Sequence, residues 1–221
     1  MSDWIGVVVA ITYIFGLIGL AELMRHKKGL SSDFTRKVVH IGVGMLSWTL
    51  PFLFSEPWLF LLGCLAFSII TLLDWHYGFF AAMASSSRSN LGTVYFPLVA
   101  GVVVYHFWDY PPLMVGALMP LTWGDGLAPV IGRKYGRHQY QVRQTTRSLE
   151  GSLGFFIAAF VATWLALWLM PGQPDLSRAQ AIAPALVVSL ATMLVEAISI
   201  WGLDNITVTL TALFILNAWP F

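Results

Sequence analysis

Apolar positions along the 221-residue chain gather into long runs separated by short polar links. The runs at residues 4–23, 38–54, 58–73, 91–107, 113–123, 153–170, 181–201 and 206–219 read as helices in lipid, because crossing a bilayer takes about 20 apolar residues at 1.5 Å each. This pattern predicts an all-α polytopic integral membrane protein with about 7–8 transmembrane helices. Two runs, 113–123 and 206–219, are short and are expected to be tilted, re-entrant or buried in protein. Met1-Ser2-Asp3 is not basic and no small-residue cleavage pattern follows, so 4–23 is a first span rather than a cleaved signal.

The polar links carry an orientation signal. With eight spans, eleven of the twelve Lys and Arg residues share one side, and Arg178 is the exception. The positive-inside rule makes that side cytoplasmic and puts both chain ends on the other side. Aromatic residues at run ends, among them Trp4, Trp58, Trp108, Tyr110, Trp201 and Trp219, read as interfacial anchors. Residues 81–90, with the Ser85-Ser86-Ser87 run, read as a flexible linker or a short interfacial helix.

Composition agrees with the pattern: 57% of residues are hydrophobic and 10% charged, and mean hydropathy is +0.74. A formal net charge of +1 leaves no basic surplus for a nucleic acid, so any phosphate recognition must be local. Cys64 is the single cysteine and lies in an apolar run, which excludes an intramolecular disulfide and a cysteine metal cluster. No His-Glu-x-x-His helix and no Gly-x-Ser-x-Gly elbow occurs, and the two halves show no clear repeat.

Candidate chemistry sits on the basic side. Gly124-Asp125-Gly126 ends an apolar run and leads to Gly132-Arg133-Lys134-Tyr135-Gly136. Glycines beside a carboxylate and two bases would let backbone approach a polyphosphate, or would form a Gly-rich turn with ordinary topology charges. Arg147-Ser148-Leu149-Glu150-Gly151-Ser152 opens the next span, where Glu150 suits a helix start or a role orienting a phosphate or metal. Glu196 lies in an apolar run and needs a partner, a metal or water. Asp204-Asn205 is a helix cap or, with Asp125 and Glu196, part of a divalent-cation site. Arg36, Lys37 and His40 recur at helical spacing, and His40 could contact phosphate, move a proton or serve as a structural histidine. Asp74 and Asn90 are second-tier pocket candidates, and Asp109 falls on the opposite side.

Taken together, Arg36-Lys37-Val38-Val39-His40, Gly124-Asp125-Gly126-Leu127-Ala128, Gly132-Arg133-Lys134-Tyr135-Gly136, Ser148-Leu149-Glu150-Gly151-Ser152, Glu196 and Gly202-Leu203-Asp204-Asn205 resemble the integral-membrane phytol, dolichol and polyprenol kinase family, related to the phosphatidate cytidylyltransferases. The blocks span residues 36–205 in the family's order. The resemblance implies one transmembrane catalytic domain over residues 1–221, with a cytoplasmic motif loop at 124–152. It also implies an enzyme that uses CTP, with Mg²⁺, to phosphorylate the hydroxyl of a lipid alcohol. Some relatives phosphorylate diacylglycerol instead.

On this reading Asp125, Glu150, His40 and Arg147 are catalytic, and Asp125, Glu196 and Asp204 hold metal. Arg36, Lys37, Gly124, Gly126, Gly132, Arg133, Lys134, Gly136, Ser148, Gly151, Ser152 and Asn205 contact the nucleotide. Two departures matter. Arg147 stands where a lysine is common, which keeps charge and changes geometry. The longer C-terminal cytidylyltransferase signature is absent, which favours the kinase over an enzyme making a CDP-lipid. A non-catalytic lipid transporter or binding protein with the same polar pocket is the other alternative. The expected partners are a lipid alcohol, the nucleotide and membrane lipids, and small residues permit helix packing between copies in a homodimer.

Overall fold

The computed structural model describes residues 3–80, 91–143, 145–200 and 202–221. The expected linker with Asn90, and the anchor Trp201, lie outside the described residues.

The chain opens with α1 (Asp3–Lys28), which carries an acid in its first turn and four basic residues in its last, both favourable to the helix dipole. Ser31 caps α2 (Ser32–Met45), accepting a hydrogen bond from the Phe34 amide. The second apolar run is not one straight helix, because a 3₁₀ turn at Leu46–Trp48 precedes the short α3 (Leu50–Leu53), with Pro51 in its first turn. After α4 (Trp58–Tyr77) and α5 (Gly92–His106), the chain forms α6 (Pro111–Met119), a π-helical segment (Pro120–Asp125) and α7 (Gly126–Tyr135) as one 25-residue helical rod.

A small hairpin pairs β1 (Gln139–Val142) antiparallel with β2 (Thr145–Ser148), Gln139 facing Ser148. Three helices complete the chain: α8 (Leu149–Leu169), α9 (Ile182–Ile198) and α10 (Asp204–Ala218). Gly202, at φ 80°, makes the left-handed turn between the last two. Among the described residues, α1, α4, α8 and the rod Pro111–Tyr135 are long and apolar enough to cross a membrane, and α5, α9 and α10 are shorter apolar helices. This is an all-α polytopic membrane protein, and the hairpin is an addition that hydropathy did not reveal.

The short run 113–123 is buried in protein, one of the outcomes expected for it, and it is part of the rod because Gly124 and the residues after it continue as helix. One expectation changes. The expected motif loop at 124–152 is therefore helix to Tyr135, then hairpin, then helix again. Tertiary packing overrides the weak helix propensity of these glycines. A Cβ at Gly124 would lie 2.9 Å from the Phe155 ring, and one at Gly126 would lie 2.6 Å from Ile41, so these glycines let α8 and α2 close on the rod.

The buried core is centred on the rod. Met114, Val115, Ala117 and Leu121 are almost wholly inaccessible, together with Phe155 and Leu167 of α8 and Val208, Ala212 and Leu216 of α10. Proline creates the local irregularity. Pro120 has no N–H to offer the Gly116 carbonyl one turn earlier, and the Thr163 hydroxyl from α8 donates to that carbonyl at 3.4 Å. The π-helical segment that follows leaves the Leu121 carbonyl able to receive a side chain from α2.

Candidate active site

The sequence-marked polar residues fall into three groups around the end of the rod. In the first, Lys37 of α2 donates to Asp125 Oδ2 at 2.6 Å, across 88 residues of sequence. Both side chains are largely buried, a placement in which a charge requires a partner. His40, one turn beyond Lys37, places Nε2 2.8 Å from the Leu121 carbonyl and 3.5 Å from Asp125 Oδ2. A carbonyl only accepts, so Nε2 carries the hydrogen and the neutral ring keeps its lone pair on Nδ1. Phe96 of α5 packs against the imidazole, with ring centroids 4.6 Å apart.

These residues line a cleft together with Arg36, Thr93, Asp204 and Asn205. Asp204 lies within electrostatic reach of Asp125, Lys37 and Arg147. Its side chain accepts from the Asn205 amide at 3.0 Å, and Asn205 Nδ2 donates to the Gly202 carbonyl at 3.2 Å. Asp33, which the sequence reading missed, accepts from Arg36 and from Arg133, each at 3.3 Å, and ties the cleft's arginine to the exposed end of α7. Its signal was local: an acid three residues before Arg36, in the first turn of a Ser-capped helix. Arg36 Nε is buried without a hydrogen-bond partner among the described residues, which leaves a donor for an anion. Lys134 sits at that same end, over the Tyr135 ring.

The second group joins β2 to α9. Arg147 forms an ion pair with Glu196 and donates from Nη2 to the Ser199 carbonyl at 2.8 Å, while its Nε is buried with no partner among the described residues. Ser199 in turn meets Thr207 Oγ1 of α10 at 2.9 Å. Glu196 thus finds the partner its apolar helix required, and it does not line the cleft with Asp125 and Asp204.

The third group is a latch. Ser148 caps α8 by accepting from the Gly151 amide at 3.1 Å. Glu150 takes His138 Nδ1 at 2.7 Å and the His138 amide at 3.2 Å, and Ser152 meets the Tyr140 hydroxyl at 2.8 Å. Gly132, Gly136 and Gly151 pack closely around Ser148: a Cβ at Gly132 or Gly151 would come within about 3 Å of its hydroxyl. The backbone approach expected for a ligand at Gly124, Gly126, Gly132, Gly136 and Gly151 is made by neighbouring protein, and none of the five lines the cleft. Asp74 also stands apart, accepting from the Phe80 amide at 2.7 Å beyond the end of α4.

The donor chemistry around the cleft suits a hard cation. Asp125, Asp204 and Asn205 offer two carboxylates and an amide oxygen, and among the described residues no group of three or more His, Cys, Asp or Glu gathers as a cage. Mg²⁺ is commonly held in this way, by one or two carboxylates plus substrate phosphates. The arrangement combines such oxygen donors with Arg36 and Lys37, the pairing that phosphoryl transfer needs.

No protein-family model matches the chain, and no solved structure matches it. Curated relatives do. The chain is 31% identical to a phytol kinase of Synechocystis sp. over 218 residues, covering 98% of this chain and 91% of the relative. It is 27% identical to the chloroplastic farnesol kinase of Arabidopsis thaliana, covering 84% of this chain and 66% of that one. It is also 27% identical to CTP-dependent diacylglycerol kinase 1 of Schizosaccharomyces pombe over about half of each chain. With nearly full-length identity to the first of these, the chain belongs to the CTP-dependent lipid kinase family that includes phytol kinase.

Proposed function

We propose that this protein is a prenyl-alcohol kinase that transfers the γ-phosphate of CTP to the hydroxyl of a lipid alcohol of the phytol or polyprenol class. The carrying observation is the buried Lys37–Asp125 pair, which brings together two sequence blocks 88 residues apart in a cleft that also holds Arg36, His40, Asp204 and Asn205. Relatives named phytol kinase, farnesol kinase and CTP-dependent diacylglycerol kinase support the donor and the acceptor class.

In the reaction, the alcohol oxygen attacks the γ-phosphorus, the bond from that phosphorus to the β–γ bridging oxygen breaks, and CDP leaves. Arg36 and Lys37 stabilise the charge spread over the transferring oxygens. Asp125 is held in place by Lys37, and His40 is held by the Leu121 carbonyl, so neither turns freely. The Nδ1 lone pair of neutral His40 accepts the alcohol proton. Asp125, Asp204 and Asn205 are the groups that would hold Mg²⁺, which when bound offsets polyphosphate charge. Arg147 is kept at the cleft's margin by Glu196 and adds positive potential there. The basic end of the molecule faces the cytoplasm, where CTP is available, and both chain ends lie on the other side.

The test uses purified protein with Mg²⁺ and CTP labelled separately at the α and γ phosphates, offered phytol, farnesol, longer polyprenols, diacylglycerol and phosphatidate. Transfer of γ label to a prenyl alcohol, with release of CDP, is expected. Retention of α label in a CDP-lipid would replace this reading with a cytidylyltransferase.

A further inference from the structure

The face of α2 that meets the rod carries Asp33, Arg36, Lys37 and His40, at the spacing that stacks side chains on one side of a helix. Three of them reach across to the rod, and their partners run in reverse order: Asp33 to Arg133, Lys37 to Asp125 and His40 to the Leu121 carbonyl. Because α2 is one unbroken helix over these positions, this antiparallel ladder extends about 10 Å along it. Arg36 lines the cleft and bonds Asp33 rather than the rod.

The Asp33 carboxylate is therefore shared. Its Oδ1 accepts from Arg36 Nη2, and its Oδ2 accepts from Arg133 Nη1 across 100 residues of sequence. Both bonds are 3.3 Å, longer than the 2.6 Å from Lys37 to Asp125, and each arginine gives a single nitrogen. A guanidinium has five N–H donors and pairs most tightly with a carboxylate through two of them. Asp33 thus holds both arginines and leaves most of their donors for another anion. Arg36 Nε, without a partner among the described residues, is one of those donors. An acid in the first turn that pairs with a base three residues on would favour a helix slightly by itself. That bland role explains neither the second guanidinium, which comes from α7, nor the place of the first in the cleft.

We propose that Asp33 is a positioning residue for phosphate: it sets Arg36 in the cleft and draws Arg133 to the same anion, so that guanidiniums from two elements act together on one polyphosphate. The inference rests on the kinase reading for the identity of that anion as CTP. Without the Asp33 charge, Arg36 and Arg133 lose their shared counter-ion and repel each other, and Arg36 regains the rotamers that the bond now excludes.

Asp33→Asn keeps the shape of the side chain and removes its charge. The experiment measures, in nanodiscs, γ-phosphoryl transfer to phytol with CTP varied and, without alcohol, CTP binding by equilibrium dialysis. It compares the wild type with Asp33→Asn, Asp33→Glu, Arg133→Gln, Arg36→Gln, and Asp33→Asn combined with Arg36→Gln. Asp33→Asn should lower kcat/KM for CTP by about 10–100-fold, the scale of one lost hydrogen bond to a charged group, with KM for phytol and the unfolding temperature unchanged. Asp33→Glu should recover most of that loss. In the Arg36→Gln background, Asp33→Asn should weaken CTP binding further by no more than Arg133→Gln does alone, because Asp33 acts only through the two arginines. Wild-type kinetics in Asp33→Asn, with or without a lowered unfolding temperature, would overturn the proposal and leave Asp33 as a helix-start acid. A loss of full size in the Arg36→Gln background would also overturn it. A wild type that binds CTP with this pattern of affinities but transfers no γ label would overturn the kinase reading and keep Asp33 in its role.

Discussion

The rod Pro111–Tyr135 and helix α1 are both long and apolar, yet 72% of the rod's apolar window is buried within the protein against 22% of that of α1. Hydropathy treats them alike because lipid and a protein interior are both apolar. The difference lies in what each helix touches. Around the rod stand α8, α10 and α2, brought close at Gly124 and Gly126, whereas α1 shows Trp4, Val8, Ile11 and Leu20 outward. The helix that carries Asp125 is thus the one most surrounded by protein, where a charge can be paired and its surroundings fixed.

The strongest way to break that comparison is Asp125→Asn. γ-Phosphoryl transfer from labelled CTP should fall by about 10²–10³-fold, the scale seen when one preorganised electrostatic group is lost. The substitution also leaves Lys37 unpaired, so Lys37→Gln combined with Asp125→Asn should recover thermal stability without recovering activity. Full activity in the single variant would make the buried pair purely structural. Next in size is Arg147→Ala, which strands Glu196 in an apolar helix. Loss of one partner of a buried pair costs about 3–5 kcal/mol, to be read as a lowered unfolding temperature in detergent. Replacement of both residues by apolar ones of similar volume should recover most of that stability.

A matched pair of glycine substitutions sharpens the contrast directly. Gly124→Ala sets a methyl group against the fully buried Phe155 and should destabilise by about 1–3 kcal/mol. Gly19→Ala in α1, where nothing lies within 4 Å of the new atom, should be neutral or stabilise by up to about 1 kcal/mol. Equal effects in thermal denaturation would erase the distinction between the two helices. The smallest effect is expected at Glu150, which accepts from His138 beside the exposed hairpin. Glu150→Gln should leave kcat within about threefold, as exposed ion pairs contribute little. A loss as large as that of Asp125→Asn would place Glu150 in the chemistry after all.

Much of the candidate site was legible in the sequence, residue by residue. Arg36, Lys37 and His40 were marked by helical spacing, Asp125 by its position at the end of an apolar run, and Asp204-Asn205 by following Gly202. Their grouping was only partly legible. Glu196 and Arg147 pair with each other away from Asp125, and Glu150 closes the hairpin by accepting from His138. Spacing along a chain reports one helix face at a time, and these pairings cross from one element to another. The glycines misled for a related reason: a glycine that admits a phosphate and one that admits a phenyl ring leave the same mark on the sequence.

By itself the sequence determined the helical membrane architecture, because apolar runs of spanning length have few ways to satisfy their backbone in lipid. It also determined the supply of charged residues from which a phosphate site could be built. The tertiary structure decided the rest: that residues 124–135 of the motif region belong to a helical rod, and which charges neutralise which. Both depend on packing, since a pair such as Lys37 and Asp125 meets across 88 residues of sequence only when α2 closes on the rod, and spacing along the chain does not report that.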